Sequence, residues 1–167
     1  ETLHGGFYND DMSMKNQPQL KQGLKFEQGF NFHTHTYRSG HGQYCTDSEI
    51  VESAKKSGIT SLGFSEHIPN PDTVLPDEDH RMLLSEVDGY ISSISQLKQQ
   101  HPEMTIISGF EAEFDPMKEA FLGEMREKVD YMILGQHFVP EGLRAIQGKG
   151  DPNYPIKYAT MVSKAID

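Results

Sequence analysis

The feature that most constrains this chain is the regular alternation of short apolar strands with amphipathic helices. Four segments predict strands, and each is followed by a segment that predicts a helix. Strands that alternate with helices form a parallel sheet, because right-handed helical crossovers return the chain to the same end of the sheet. The sequence therefore predicts an α/β fold whose site lies at the carboxyl ends of the strands, in an open sheet or a barrel.

The order of these segments also predicts the domain organisation. The predicted strands cover residues 29–35, 59–67, 105–114 and 130–138. The predicted helices cover residues 46–58, 77–102, 115–129 and 153–167. The first helix has capping-box spacing, because Glu49 follows Thr46 by three residues, and it ends at Gly58. Residues 1–28 are polar and lack periodicity, so they predict an N-terminal extension before a β/α domain over residues 29–167.

Histidines and carboxylates stand at the ends of all four predicted strands. They are His33 and His35 in the first strand, His67 in the second, Glu111 and Glu113 in the third, and His137 in the fourth. His41 follows the first strand on a Gly-containing loop. Imidazole and carboxylate groups bind Zn, Mn or Fe, and one carboxylate can bridge two cations. The pattern predicts a metal centre at one rim of the sheet.

The residues alone leave several assignments open. His41 could be a ligand or an ordinary surface residue, and one of Glu111 and Glu113 could be the ligand while the other supports it or faces solvent. Arg81 is a candidate phosphate contact, although a solvated arginine near a helix start is an equally good interpretation.

Composition limits the partners of such a site. The net charge of −10 argues against nucleic acid or an anionic membrane as the main partner, since neither neutralises an acidic surface. A small phosphorylated substrate remains compatible, because bound divalent cations reverse the local sign of charge. Cys45 is the single cysteine, which excludes an intrachain disulfide and, with no apolar run long enough to span a membrane, predicts a cytoplasmic protein. An oligomer is possible.

These motifs resemble those of the PHP (polymerase and histidinol phosphatase) metal-dependent phosphoesterases, most closely the histidinol-phosphatase branch. The family opens with His-x-His and a third His, as in HTHTYRSGHG, and continues with Ser/Thr-Glu/Asp-His, as in GFSEHIP. Its Gly-x-Glu and Ser/Gly-x-His motifs resemble GFEAEF and LGQHF. The likeness spans residues 29 to 140, and it implies a distorted seven-stranded TIM-like barrel.

The resemblance also implies the cofactors and the reaction. By position it implies two or three divalent metal ions (Zn, Mn or Fe), with His33 and His35 on the first, Glu111 between the first and second, His137 on the second, and His41 and His67 on the third. The implied activity is histidinol-phosphatase-like hydrolysis of a small phosphomonoester, as in histidine biosynthesis, by attack of a metal-bound hydroxide on phosphorus.

The chain departs from the family pattern in two places. No histidine follows His137, although the family draws a further His and an Asp-x-His pair from later strands, and YRSG stands where the histidinol-phosphatase branch commonly has Cys-Pro before the third His and its Gly. Four β/α units would leave a barrel incomplete, so we expect a piece of a protein of about 250 residues.

Two other classes of protein stay open. A non-catalytic metal-binding or regulatory PHP module would bind metal without turnover. An amidohydrolase also opens with His-x-His, but it usually uses a lysine ligand on a later strand, so Glu111 and His41 argue against it.

Overall fold

The computed structural model describes residues 28–40, 45–71, 80–141, 144–146 and 150–166. One parallel sheet contains β1 (Phe30–Asn31), β2 (Ser61–His67), β3 (Thr105–Ala112) and β4 (Tyr131–Leu134), in that order. An antiparallel hairpin follows, formed by β5 (Val139–Glu141) and β6 (Arg144–Ile146). The helices are α1 (Asp47–Lys56), α2 (Val87–Gln100), α3 (Glu119–Arg126) and α4 (Tyr154–Ile166).

The parallel sheet is curled, and Tyr131 of β4 lies across its concave side. A Cβ atom on Gly109 of β3 or on Gly63 of β2 would lie 2.6 Å or 2.9 Å from Cζ of Tyr131, so both positions must lack a side chain. The Tyr131 hydroxyl donates a hydrogen bond to the carbonyl of Phe32, just after β1, at 2.7 Å. One side chain therefore connects the fourth strand to the first, which requires a curved sheet.

The result is a half-barrel of four parallel strands with helices between them. This architecture is part of a TIM-like α/β barrel, so the predicted fold class is confirmed. Within the described ranges, no helix combines the length and apolar character that crossing a membrane requires.

The apolar core lies between the convex face of the sheet and the helices. Phe64 of β2 and Phe110 of β3 are fully buried there, and each contributes about 1.5–3 kcal/mol through its burial. Tyr90 of α2 is also fully buried, and its hydroxyl donates to the carbonyls of Phe64 and Gly109 at 3.1 Å and 2.8 Å. These bonds hold α2 against the middle of the sheet and leave the opposite face for the site.

The first strand is much shorter than predicted. Only Phe30–Asn31 pairs with β2 as regular strand, whereas the sequence predicts residues 29–35. The Asn31 side-chain oxygen accepts a hydrogen bond from the backbone N–H of His33 at 3.0 Å, and such local bonds compete with strand pairing. Phe30 and Phe32 stack on each other and Phe32 meets Tyr131 edge-on, but the two residues stay 54% and 38% exposed.

The helix ends follow the predicted signals in part. Thr46 and Glu49 form the predicted capping box of α1, and the helix ends before Gly58, whose φ is +80°. The second predicted helix is shorter, because α2 begins at Val87 after a 3₁₀ turn. The predicted N-terminal extension is outside the described residues apart from residue 28, so it stays a prediction.

Candidate metal centre

Five of the six predicted metal ligands lie together on the concave side of the sheet, at the carboxyl ends of its strands. His33 and His35 follow β1, His67 ends β2, Glu111 is near the end of β3, and His137 follows β4. The sixth, His41, lies outside the described residues. The register of the sheet explains the convergence, because His67 pairs directly with Glu111 and both side chains point to the same face.

Glu111 is the centre of this cluster. Its Oε2 atom lies 3.0 Å from Nε2 of His33, 3.1 Å from Nε2 of His35 and 3.5 Å from Nδ1 of His67. Its Oε1 atom lies 3.5 Å from Nε2 of His137. Because all four imidazoles meet one buried carboxylate, a cation at this position would find nitrogen and oxygen donors on several sides.

The donor atoms form two overlapping groups that could each hold a metal ion. His33, His35 and Glu111 make one group, and His67, Glu111 and His137 make the other; within each, the donor atoms lie within 4.8 Å of one another. Glu111 belongs to both groups: its Oε2 lies beside His33, His35 and His67, and its Oε1 lies beside His137. This arrangement fits a carboxylate that bridges two cations.

Gly135 leaves room for the Glu111 carboxylate because it has no side chain. A Cβ atom on Gly135, in the loop after β4, would lie 2.5 Å from Cγ of Glu111 and would overlap its carboxylate. The backbone N–H of Gly135 donates to the carbonyl of Ala112 at 3.0 Å, so this loop stays tightly against β3. Any residue other than glycine would push Glu111 out of the histidine cluster. Gly135 stands within the LGQHF motif, but the sequence alone does not mark it as part of the site.

The histidines differ in exposure, and this difference defines an accessible side. The side chains of His33 and His137 are each 52% exposed, whereas those of His35 and His67 are mostly buried. The His35 and His67 rings stack with their centroids 4.7 Å apart. A small ligand could therefore reach the cluster past His33 and His137, while His35 and His67 form its inner wall.

Glu66 supports the segment that carries the first two histidines. Its side chain is fully buried and accepts a hydrogen bond from the backbone N–H of Thr36, and its Oε2 lies 3.8 Å from Nδ1 of His35. Glu66 thus acts on the backbone beside His35 and has no place among the donors of the two groups. Glu66 and His67 point to opposite faces of β2, because successive residues of a strand alternate between the two faces.

A buried ion pair anchors the other end of the same segment. Both Nη atoms of Arg38 donate to the carboxylate of Asp47, at the start of α1, with Nη2 at 2.8 Å from Oδ2. Asp47 also accepts a hydrogen bond from Ser93 of α2, and Arg38 donates to the hydroxyl of Thr36 at 3.2 Å. Sequence patterns do not reveal this network, because its members are widely spaced and no motif connects them.

Arg81, the predicted phosphate contact, binds a carboxylate beside the site. Its Nη2 atom donates to Oε2 of Glu113 at 2.7 Å, and its Nη1 atom donates to the carbonyl of Ile68 at 2.9 Å. Glu113 also contacts His137, with Oε1 at 2.8 Å from Nδ1. Of the two predicted carboxylates, Glu111 therefore meets all four histidines and Glu113 meets only His137.

Known proteins of one family match this chain in sequence. The sequence pattern of the PHP domain matches residues 31–164. Histidinol-phosphatase of Bacillus subtilis is 33% identical over 115 residues, which are 64% of this chain and 43% of that protein. The probable histidinol-phosphatase of Deinococcus radiodurans is 32% identical over 114 residues, which are 64% of this chain and 41% of that protein.

A solved structure shares the fold. A Listeria monocytogenes protein, provisionally assigned as a histidinol phosphatase, matches 77% of this chain and 51% of its own length with a TM-score of 0.60 and 21% identity. At that identity the likeness concerns the fold alone. The chain spans about half the length, or less, of each of these three proteins.

Proposed function

The chain belongs to the PHP domain family, and from this premise we propose that it supplies the metal centre of a phosphoesterase that hydrolyses a small phosphomonoester. The observation that carries the proposal is the position of Glu111, which is shared by two groups of candidate donors and has a histidine nitrogen near each of its two oxygens. A bridging carboxylate between two cations is a recurring arrangement in enzymes that transfer or hydrolyse phosphoryl groups.

The residues present fit divalent transition metals. Imidazole nitrogens and a carboxylate are the donors that Zn, Mn and Fe prefer, and the space over Gly135 admits the shared carboxylate. His33 and His35 would hold one ion with Glu111, and His67 and His137 would hold another. The family resemblance implies instead that His67 belongs with His41 to a third ion, and since a neutral imidazole has one lone pair, His67 would serve one of these two ions. Bound cations would supply Lewis acidity toward phosphoryl oxygens and would lower the pKa of water.

The protein residues then have distinct tasks. Glu111, buried and surrounded by four imidazoles, sets the distance between the two groups of donors. The exposed edges of His33 and His137 leave an entry for a phosphate ester, while His35 and His67 keep solvent from the inner side. Most of the donors are neutral imidazoles, so bound divalent cations would leave the site with net positive charge. Such a site suits an anionic substrate.

The finer part of the proposal is the substrate. Histidinol phosphate is supported by the two relatives that bear the histidinol-phosphatase name, at 33% and 32% identity. The net charge of −10 favours a small phosphomonoester over a nucleic acid backbone. A cytoplasmic location belongs to the same proposal, and the single cysteine supports it.

A panel of phosphate esters tests this function. The purified chain, loaded with Mn²⁺, is incubated with histidinol phosphate, two other phosphomonoesters and a phosphodiester, and released phosphate is measured. We expect hydrolysis of phosphomonoesters, fastest with histidinol phosphate, and at least about a 100-fold loss in Glu111→Gln. Glu124→Gln, an exposed change on α3, is the control and should keep full activity. Equal hydrolysis by wild type and Glu111→Gln would overturn the proposal.

The same protein and the same panel of esters distinguish the phosphoesterase from one alternative function. A non-catalytic metal-binding PHP module is the alternative, because the two candidate donor groups could hold metal ions without any turnover. Such a module would bind Mn²⁺ through Glu111 and release no phosphate from any ester. Metal binding without turnover would therefore establish the alternative in place of the phosphoesterase.

A further inference from the structure

Glu113 lies two residues after Glu111 and reaches the same rim, yet it is outside both groups of candidate metal donors. Its side chain is only 6% exposed, and both of its oxygens have a partner. Oε1 lies 2.8 Å from Nδ1 of His137, and Oε2 lies 2.7 Å from Nη2 of Arg81. A carboxylate held in this way can set the state of the imidazole beside it.

The contact with His137 decides which ring nitrogen carries the proton. A carboxylate oxygen paired with a guanidinium has lone pairs only, so the hydrogen of this bond must belong to Nδ1 of His137. The proton on Nδ1 leaves a lone pair on Nε2 of the neutral ring. Nε2 is the atom that lies 3.5 Å from Oε1 of Glu111, and only a nitrogen with a lone pair can bind a metal ion.

Arg81 holds Glu113 from the opposite side. While Nη2 binds Glu113, Nη1 donates to the carbonyl of Ile68, immediately after β2, at 2.9 Å. The Arg81 side chain is 12% exposed, and its guanidinium joins the segment after β2 to the residue that follows β3 by one position. The contacts from Arg81 to Glu113 and from Glu113 to His137 therefore connect the ends of three neighbouring strands.

We propose that Glu113 is a positioning residue that fixes His137 with its proton on Nδ1 and aims Nε2 at Glu111, and that Arg81 acts on Glu113 instead of on the substrate phosphate. The inference rests on the proposed metal centre. Carboxylate partners of this kind fix the tautomer and the orientation of a ligating histidine, and their loss typically weakens metal binding by about 10- to 100-fold.

The first test needs no metal and no substrate. The ¹⁵N shifts of the His137 ring are recorded in the metal-free full chain, about two pH units above the ordinary histidine pKa of ~6.5. Wild type should carry the proton on Nδ1, and Glu113→Ala should lose that preference. In Glu113→Gln the single acceptor oxygen should face Arg81, which can only donate, so the NH₂ group should face Nδ1 and move the proton to Nε2. A proton on Nε2 in wild type, or an unchanged tautomer in Glu113→Ala, would overturn the proposal.

The second test is titration of the same proteins with Mn²⁺. Glu113→Ala should bind about 10- to 100-fold more weakly than wild type, and Glu113→Gln should also bind more weakly than wild type. Glu124→Ala is the control and should match wild type, and circular dichroism checks that each variant is folded. Wild-type affinity in a folded Glu113→Ala would contradict the positioning role. If the chain released no phosphate at all, the proposed function would fail while both results for Glu113 would stand.

Arg81→Ala separates the two assignments of the arginine. If Arg81 holds Glu113, this variant should weaken Mn²⁺ binding, by less than Glu113→Ala because the bond to His137 remains. If Arg81 contacts substrate, the variant should raise KM for the phosphomonoester and leave Mn²⁺ affinity unchanged. The second result would overturn the assignment of Arg81.

Discussion

The carboxylate of Glu111 lies against Gly135, in the space that any side chain at position 135 would occupy. The four histidines can meet Glu111 only because the loop after β4 contributes bare backbone at this point. The missing side chain is thus as much a part of the site as the histidines are.

Replacing this glycine should disable the site without unfolding the protein. In Gly135→Ala, the added Cβ would displace Glu111 from the histidines, and we expect at least about a 10-fold loss of Mn²⁺ affinity with a stability cost of about 1–3 kcal/mol. Gly123→Ala on α3 is the matched control, because a Cβ there meets nothing within 4 Å and should stabilise the helix by about 0.5–1 kcal/mol. Calorimetric titration measures the affinity. Unchanged binding in Gly135→Ala would contradict the role of the glycine.

The buried pair of Arg38 and Asp47 should be important for stability. Arg38→Ala leaves the carboxylate of Asp47 buried without its cation, so we expect a loss of about 3–5 kcal/mol in the free energy of unfolding, measured with urea. Lys128→Ala breaks an exposed pair with Asp88 and should cost at most about 1 kcal/mol. A cost for Arg38→Ala as small as that of the control would show that the buried pair does not anchor the segment before α1.

Two buried tyrosines should make the fold sensitive to alkaline pH. Burial raises the pKa of Tyr90 and of Tyr131 above the ordinary value of 10.0. Above that pH the unfolded chain releases phenolic protons that the folded chain keeps. The free energy of unfolding is therefore unaffected by ionisation of these tyrosines below pH 10.0 and falls as pH rises further. The slope is at most about 1.4 kcal/mol per pH unit for each tyrosine.

Phenylalanine variants test this pH dependence. Tyr90→Phe and Tyr131→Phe should each lose about 1 kcal/mol near neutral pH, because their hydrogen bonds to backbone carbonyls disappear. Above about pH 10 each variant should lose stability less steeply than wild type, as urea unfolding at several pH values would measure. Equally steep losses in wild type and both variants would rule out the tyrosines as the cause.

Much of the site could be predicted because strand periodicity and topology act together. Alternation along a strand places His67 on one face and Glu66 on the other, and parallel strands bring their carboxyl ends to the same rim. The position of His67 opposite Glu111 follows from these two rules without any knowledge of distances. The capping box at Thr46 was equally accessible, since its signal lies within four residues.

The remaining features depend on contacts between residues far apart in sequence. The packing of Tyr131 on Gly63 and Gly109 arises only when the sheet curls, and no local pattern records that curvature. The early end of β1 reflects competition between Asn31 and the strand ladder, which period-two alternation does not reveal. The β5–β6 hairpin was not predicted, and its strands are only three residues each.

The most direct test of the central claim is the dependence of phosphate release on divalent metal. The purified chain is treated with a chelator, dialysed, and assayed with a phosphomonoester before and after addition of Mn²⁺, Fe²⁺ or Zn²⁺. The metal centre around Glu111 predicts that chelation abolishes release, that at least one of these ions restores it, and that Glu111→Gln is not restored. Phosphate release that survives complete removal of metal would contradict the account.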